Sequence, residues 1–300
     1  MRTTIWLFLG VCAAGLAHAD TKTFDRTVEA DPHGRVEISN IAGRIEVSGW
    51  DGKEVQIHGS LGEGVDRVDV DSGHGITSIR VIVPNHTFRS ASADLQVRVP
   101  RESELEVSAV SADVGETGVQ GGLQLKSVSG DVKADIFKAT SEIKTVSGDI
   151  VLRGLRGQTD GAELHVTTIS GNIRLDHGSA DFEGSTVSGD LHIRVDSTHN
   201  VRVRTTSGDI GFEGKLLHGG SIEAESVSGD VTLRATPENG YDYDLSSFSG
   251  DITDCMGVKA ERTSKYGPGK RLNGQEGSAA DGARIRVKTM SGDVELCNKS

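Results

Sequence analysis

Long apolar runs are what this 300-residue chain most conspicuously lacks. Its best candidate, Ile5 to Ala14, is about half of the roughly twenty residues that a membrane-crossing helix requires, and nothing later approaches it. Aromatic residues are only 4% of the chain and prolines number 5, against 39 glycines, a balance that favours many turns over a thick globular core. Apolar residues show no 3.6-residue period after residue 20, which excludes amphipathic helices. The ten histidines, His165, His177, His192, His199 and His218 among them, form no His-x-His pair and have no cysteines at metal spacing, so no zinc site is expected. Neither a nucleotide-binding glycine loop nor a nucleophile elbow is present. Aromatic-lined grooves, the usual setting for polysaccharide cleavage, have little to draw on: one tryptophan beyond the leader, Trp50, and the tyrosines 241, 243 and 266.

What is present begins with a leader. Arg2, the apolar stretch and Ala17-His18-Ala19 read as a secretory signal over residues 1–19, so the mature chain starts at Asp20. Val11 stands where lipid transfer expects a small residue, which argues against lipidation of Cys12. Loss of Arg2 takes the formal net charge from −12 to −13, unfavourable for nucleic acid or anionic lipid, both of which are bound through Lys and Arg. The expected location is therefore exported, periplasmic or at the cell surface. Two cysteines then remain, in SGDITDC and SGDVELC, and each stands four residues after the aspartate of the same motif. An oxidising compartment permits a Cys255–Cys297 disulfide.

That motif is a repeat. AVSADV (109–114), SVSGDV (127–132), TVSGDI (145–150), TISGNI (168–173), TVSGDL (186–191), TTSGDI (205–210), SVSGDV (226–231), SFSGDI (247–252) and TMSGDV (289–294) recur at intervals of 18 to 23 residues, apart from a final double step of 42. Around each, apolar residues alternate with the period of two of a half-buried strand, and the phase slips by one at Gly-Asp, as at a sharp corner between two strands. The structural turn residues are Gly130 and Asp131, Gly148 and Asp149, Gly171 and Asn172, Gly189 and Asp190, Gly208 and Asp209, Gly229 and Asp230, Gly250 and Asp251, and Gly292 and Asp293. A unit of about 20 residues cannot bury its apolar face alone and must stack. The expectation is an all-β fold, one β-solenoid or β-helix of stacked coils with capped ends. Residues 20–108 supply an N-terminal β cap and first coils, with NIAGRI (40–45) as a diverged repeat; residues 109–300 form the SGD solenoid, with a loop excursion at 256–283. The serines of SGD and the Ser/Thr two positions earlier are both expected to point inward as hydroxyl ladders. If the double step holds one coil plus an excursion, the two cysteines stand about 4.8 Å apart and can bond; two further coils would part them by about 9.6 Å. The first is the expected arrangement.

The aspartate row poses a chemical question. Carboxylates stacked at about 4.8 Å repel by roughly 1 kcal/mol per pair in water and about 3–4 kcal/mol near a protein surface. Hydrogen bonds from each turn's own amides answer this without any cofactor; Ca²⁺ bridging between coils is the alternative, disfavoured because each turn offers one carboxylate. Arg153 with Arg156, and Arg202 with Arg204, read as exposed strand charges. Lys259, Arg262, Lys265, Lys270 and Arg271 read as a basic, solvated cap.

With its SGD series, the opening FDRTVEADPHGRVEISNIAGRIEVSGWDGKEVQI (24–57) and the ending ERTSKYGPGKRL…GARIRVKTMSGDVELC (261–297), the chain resembles the bacterial putative adhesin family, exported domains of unknown function. The resemblance spans nearly all of the mature chain, departs at Ala112 and Asn172, and carries no catalytic residues or metal ligands with it. It implies a non-enzymatic, adhesin-like or envelope-associated binding or scaffold protein with a protein or glycan surface partner. The alternatives are a polysaccharide-active β-helix enzyme and a periplasmic regulatory or sensor partner.

Overall fold

The computed structural model describes residues 22–84, 91–155, 157–255, 257–264, 267–277 and 282–298; the expected leader, Cys12, Arg156, Lys265 and Tyr266 lie outside them. Among the described residues there is no helix, and 23 strands join in one continuous sheet. The sheet is folded into two walls that meet at the SGD corner. Before the corner, Leu123–Ser129, Ser141–Ser147, Ala162–Thr167 and Ala180–Ser188 stack in parallel register, each coil on the next. After it, Val132–Ile136, Ile150–Gly154 and Ile173–Asp176 stack the same way. Inward residues from both walls fill the space between them; Leu125, Ile143, Ile150, Leu152 and Ile173 are all buried to within 0% exposure. The chain is an all-β solenoid.

Both ends depart from simple stacking. Arg35–Trp50, the first coil in sequence, lies between the coil made by Ile76–Ile82 and Ala93–Pro100 and the coil Glu104–Thr117. At the other end Ala283–Ser291 and Val294–Asn298, the last coil in sequence, are inserted between the coil of residues 221–237 and that of Tyr241–Ser249 and Ile252–Asp254. The corner order in space is therefore 208, 229, 292, 250, not the order of the chain. Antiparallel strands close the ends: Arg67–Gly73, Glu54–Leu61 and Lys22–Glu29 at one, Lys270–Glu276 at the other. Such capping covers edges that would otherwise pair with other chains.

The interleaved order corrects the expected excursion: the double step does hold one coil plus an excursion, but that coil returns inward instead of extending the rod. Cys255 and Cys297 lie on adjacent coils, paired as a disulfide with Cα atoms 5.0 Å apart. Charge supports the same order. Arg202 and Arg204 lie beside Glu223 and Glu225, which lie beside Arg286 and Lys288, which lie beside Asp244 and Ser246, and Arg271 follows on the cap. Sequential stacking would have set Glu223 against Asp244; insertion of the last coil places cations between them. Arg202 bonds Glu223 at 2.9 Å, Arg204 bonds Glu225 at 3.0 Å, and Arg271 bonds Asp244 at 2.7 Å.

The corner itself needs two corrections. Only the Ser/Thr two positions before the SGD serine is buried, as at Thr145, Thr186, Thr205 and Thr289; the SGD serines are exposed, because the phase slips two residues before Gly. The buried hydroxyls mostly do not bond one another. Thr145 donates to Thr168 at 2.8 Å, but Thr186, Thr205, Ser247 and Thr289 donate to the glycine carbonyl of a neighbouring coil. Close approach dictates the glycines: a Cβ on Gly148 would sit 2.2 Å from the Gly130 carbonyl oxygen, and one on Gly208 would sit 2.1 Å from that of Gly189. The Gly208→Ala variant, also strained by φ +147, is expected to lose about 2–4 kcal/mol in urea denaturation. Gly211→Ala, whose Cβ would meet nothing nearer than 3.5 Å, is expected to stay within about 0.5 kcal/mol of the parent. Equal losses at the two sites would mean that backbone approach is not what demands glycine.

Candidate functional site

The sequence-predicted turn residues come together as one line along the corner, and their carboxylates are engaged. The amide of Asp149 donates to Asp131 Oδ1 at 3.0 Å, that of Asn172 to Asp149 Oδ1 at 2.8 Å, and that of Asp190 to Asn172 Oδ1 at 3.0 Å. The series continues through Asp209, Asp230 and Asp293 to Asp251, whose amide donates to Asp293 Oδ1 at 2.7 Å. The donor is the next coil's amide rather than the turn's own, which corrects the expected local bonding and makes the ladder an inter-coil tie. Each carboxylate thus faces a partial positive charge as well as its neighbour, which offsets the stacking repulsion.

The outward face of the second wall carries a second line. Asp135, Arg153, Asp176, Arg194, Glu213 and Arg234 occupy one register position on successive coils and alternate in sign. Arg153 bonds Asp135 at 2.7 Å, and Arg194 lies 3.4 Å from Asp176 and 3.6 Å from Glu213. In the adjacent row, Arg174, His192, Gly211 and Thr232 succeed one another, and Gly211 leaves the row without a side chain. A shallow concavity of about 380 Å³ opens there, bordered by His192, Arg194, Asp209, Asp230 and Arg234. Among the described residues, the side chains of His192 and Arg234 have no ion-pair partner. Nothing nearby crowds a Cβ at Gly211, so the gap is not imposed by the backbone.

A third line was not anticipated. The residue between the buried Ser/Thr and the SGD serine is exposed and apolar on nearly every coil: Val128 (45%), Val146 (40%), Ile169 (48%), Val187 (48%), Met290 (53%) and Phe248 (58%). The x of S/T-x-S-G-D carried this signal in the sequence, since alternation sets it on the outward face and it is apolar in eight of the nine motifs.

Of the remaining expectations, two members of the basic cap are neutralised: Lys270 pairs with Asp251 and Arg271 with Asp244. Trp50 stacks under Arg98 at 4.8 Å and donates its indole N–H to the Glu54 carbonyl at 3.1 Å, and so is occupied. His58 meets Asp25 at 2.6 Å and His165 meets Glu183 at 3.3 Å, both in the open. Cys255, Glu295 and Cys297 are the described group with metal-ligating atoms close together, with the two sulfurs bonded to each other. Sequence reasoning also missed Glu116. It is 2% exposed and accepts the amides of Val119 at 2.7 Å and Asp135 at 3.0 Å. Burial pushes its carboxyl up to about 8 against the pull of those two amides, and the Asp135 charge adds to the rise.

Two measurements follow. With the Oδ1 atoms of the ladder held by amides, and that of Asp251 by Lys270, adding Ca²⁺ or EDTA is expected to leave the melting temperature unchanged; a rise with Ca²⁺ would restore bridging between coils. Glu116 keeps its proton in the folded chain up to about pH 8, whereas the unfolded chain releases it near 4.5, so its contribution to stability falls as pH rises through that window and levels off above it. Denaturation from pH 4 to 9 is expected to show a loss on the order of a few kcal/mol in the parent that is absent from Glu116→Gln.

No curated protein matches this chain at a significant level. Among solved structures it is similar to a putative adhesin from Parabacteroides distasonis, at 10% identity and TM-score 0.49, with 93% of this chain and 98% of that one covered. A putative adhesin from Bacteroides fragilis aligns at 13% identity and TM-score 0.43, covering 92% and 97%. A putative lipid binding protein from Parabacteroides distasonis aligns at 9% and 0.31, covering 92% and 96%. The model of the Toastrack DUF4097 family matches residues 32–211 and again 154–297. The two matches overlap and together take in nearly all of the described solenoid, and the chain belongs to the Toastrack DUF4097 family.

Proposed function

We propose that the mature chain is an exported, non-enzymatic binding protein that presents its second wall to a protein or glycan partner in the envelope or at a surface. The observation that carries this reading is the break at Gly211. Several charged rows on the walls are paired from coil to coil, as Arg153 is with Asp135 and Arg202 with Glu223, and ion pairs satisfied within the molecule have little left for a ligand. At the gap, the unpaired donors His192 and Arg234 stand beside the acceptors Asp209 and Asp230 around a concavity of about 380 Å³. Donors and acceptors so mixed around a floor that includes Ile193, Ile210 and Phe212 suit a hydroxyl-rich or peptide surface better than a wholly greasy ligand. Every charged row repeats, and repetition suits binding along a rod better than chemistry at one point.

The test is a panel of envelope glycans and immobilised matrix proteins, probed with the mature protein alongside Gly211→Arg and Arg234→Ala. Saturable binding is expected that weakens about tenfold, or ~1.4 kcal/mol, in both variants while their melting temperatures hold. Binding indifferent to both substitutions would remove the groove from the proposal, and release of new reducing ends from a polysaccharide would replace binding with catalysis. Cell fractionation adds the compartment, since a purely periplasmic pool would count against adhesion.

A further inference from the structure

We propose that the apolar line along the corner is a homodimer seam, in which two copies lie side by side with their rod axes parallel and the two-fold axis running along the rods. The line is continuous because the chain is interleaved. Met290 sits between Val227 and Phe248, since Ser228 pairs with Ser291 and Ser291 with Ser249. Thr206 is the one polar residue in it from Val110 to Phe248. Isolated exposed valines need no explanation, but one on almost every coil makes a contiguous stripe about 40 Å long, beyond what a monomer normally leaves in water.

The flanks of the stripe say what covers it. Three residues after each apolar position stands the acidic ladder, Asp131 to Asp293. Two residues before it, on the first wall, the outward row carries Lys126, Lys144, Arg204 and Lys288, with Glu225 as its one acid; Lys126, Lys144 and Arg204 each pair with a neighbouring glutamate yet stay about half exposed. The stripe therefore divides an acidic edge from a basic one. An occupant must offer an apolar line with the same repeat of about 4.8 Å, with base opposite the acid and acid opposite the base. A second copy offers this when rotated about an axis parallel to the rod. Rotation about an axis perpendicular to the rod keeps each acidic edge on the same side and sets carboxylates against carboxylates. An anionic membrane would meet the acidic ladder and be repelled. About 40 Å by about 15 Å gives roughly 600 Å² per copy, at the lower end for specific association, so the dimer should be weak and micromolar.

Sedimentation of the mature chain up to about 100 μM tests this, with the dimer expected to tighten as salt is lowered. The double variant Val146→Asp and Val187→Asp alters only exposed side chains, so its melting should match the parent while its dimer constant weakens at least about tenfold. Gly211→Arg, on the second wall, should leave dimerisation unchanged, which separates this seam from the groove. Single variants Val128→Cys, Val187→Cys and Val227→Cys should each crosslink to their own equivalent under mild oxidation, since an axis along the rod sets every position opposite itself. A monomer throughout the range, or a dimer indifferent to the two aspartates, overturns the seam. Crosslinking confined to mid-rod overturns the parallel arrangement. Loss of partner binding in the aspartate variant of a monomeric protein would give the stripe to a different occupant.

Discussion

The structure depends on how closely one coil's corner lies on the next. At each step a glycine passes over the carbonyl of the glycine before it with no room for a Cβ, and this approach brings the following amide within reach of the neighbouring aspartate. Glycine and aspartate thus serve one contact: the first allows the distance and the second uses it. Gly292, inserted out of chain order, obeys the same geometry, since its Cβ would lie 2.1 Å from the Gly229 carbonyl oxygen. The two departures from the motif test the roles. Asn172 keeps the amide-accepting oxygen and adds a donor, its Nδ2 reaching Asp149 Oδ1 at 3.2 Å, so one carboxylate is lost from the row without breaking the ladder. Ala112 stands where the motif first appears and is fully buried at 0%, and the Cβ that would clash belongs to the following Gly130, 2.2 Å from the Ala112 carbonyl oxygen.

A tie this uniform cannot choose which coil stacks on which, because every corner fits every other. The choice has to come from residues that differ between coils, and the outward charges differ. Arginines at 202 and 204, glutamates at 223 and 225, cations at 284, 286 and 288 and aspartates at 242 and 244 alternate only when the last coil enters between its two predecessors. Each exposed pair is worth little alone, but sequential stacking would set Glu223 against Asp244 and leave the cations at 284, 286 and 288 without Glu223 and Glu225 as neighbours, and specificity is a difference between arrangements rather than a sum of contacts. The disulfide does not make the choice, since coils 250 and 292 are neighbours in either order.

This also explains how much of the molecule was legible in the sequence. The repeat, the two-residue period and the corner could be read locally, because Ser-Gly-Asp marks a turn wherever it sits, and the architecture followed. Coil order is a long-range property carried by charges some twenty to sixty residues apart, and a linear reading that stacked the repeats in turn could not weigh Glu223 against Asp244. The exposed SGD serines were misplaced for a smaller reason: alternation was carried one residue too far toward the glycine, whereas the outward, apolar x before each serine was legible in the repeat itself. The groove was invisible because Gly211 interrupts an outward row, where any residue satisfies the pattern of burial. Glu116 was hidden likewise, as an acid at an inward position that only its two amide partners explain.

Saturation decides where function can reside. A solenoid stabilised by identical contacts has identical surfaces, and the carboxylates that look most reactive in the sequence are the ones most fully used by the fold. What remains for a partner is whatever the repeat leaves unpaired, which is a missing side chain in one row and an apolar line that no inward face takes up. The two lie on different sides of the acidic ladder, so a rod joined to a second copy along its corner would still show the Gly211 groove to solvent, doubled. Two weak sites held on one rigid body bind an extended surface far more tightly than either does alone, provided both can reach it at once. With the rods parallel, both grooves sit at the same height on the dimer, a geometry suited to a repeating surface and poorly suited to a single small molecule.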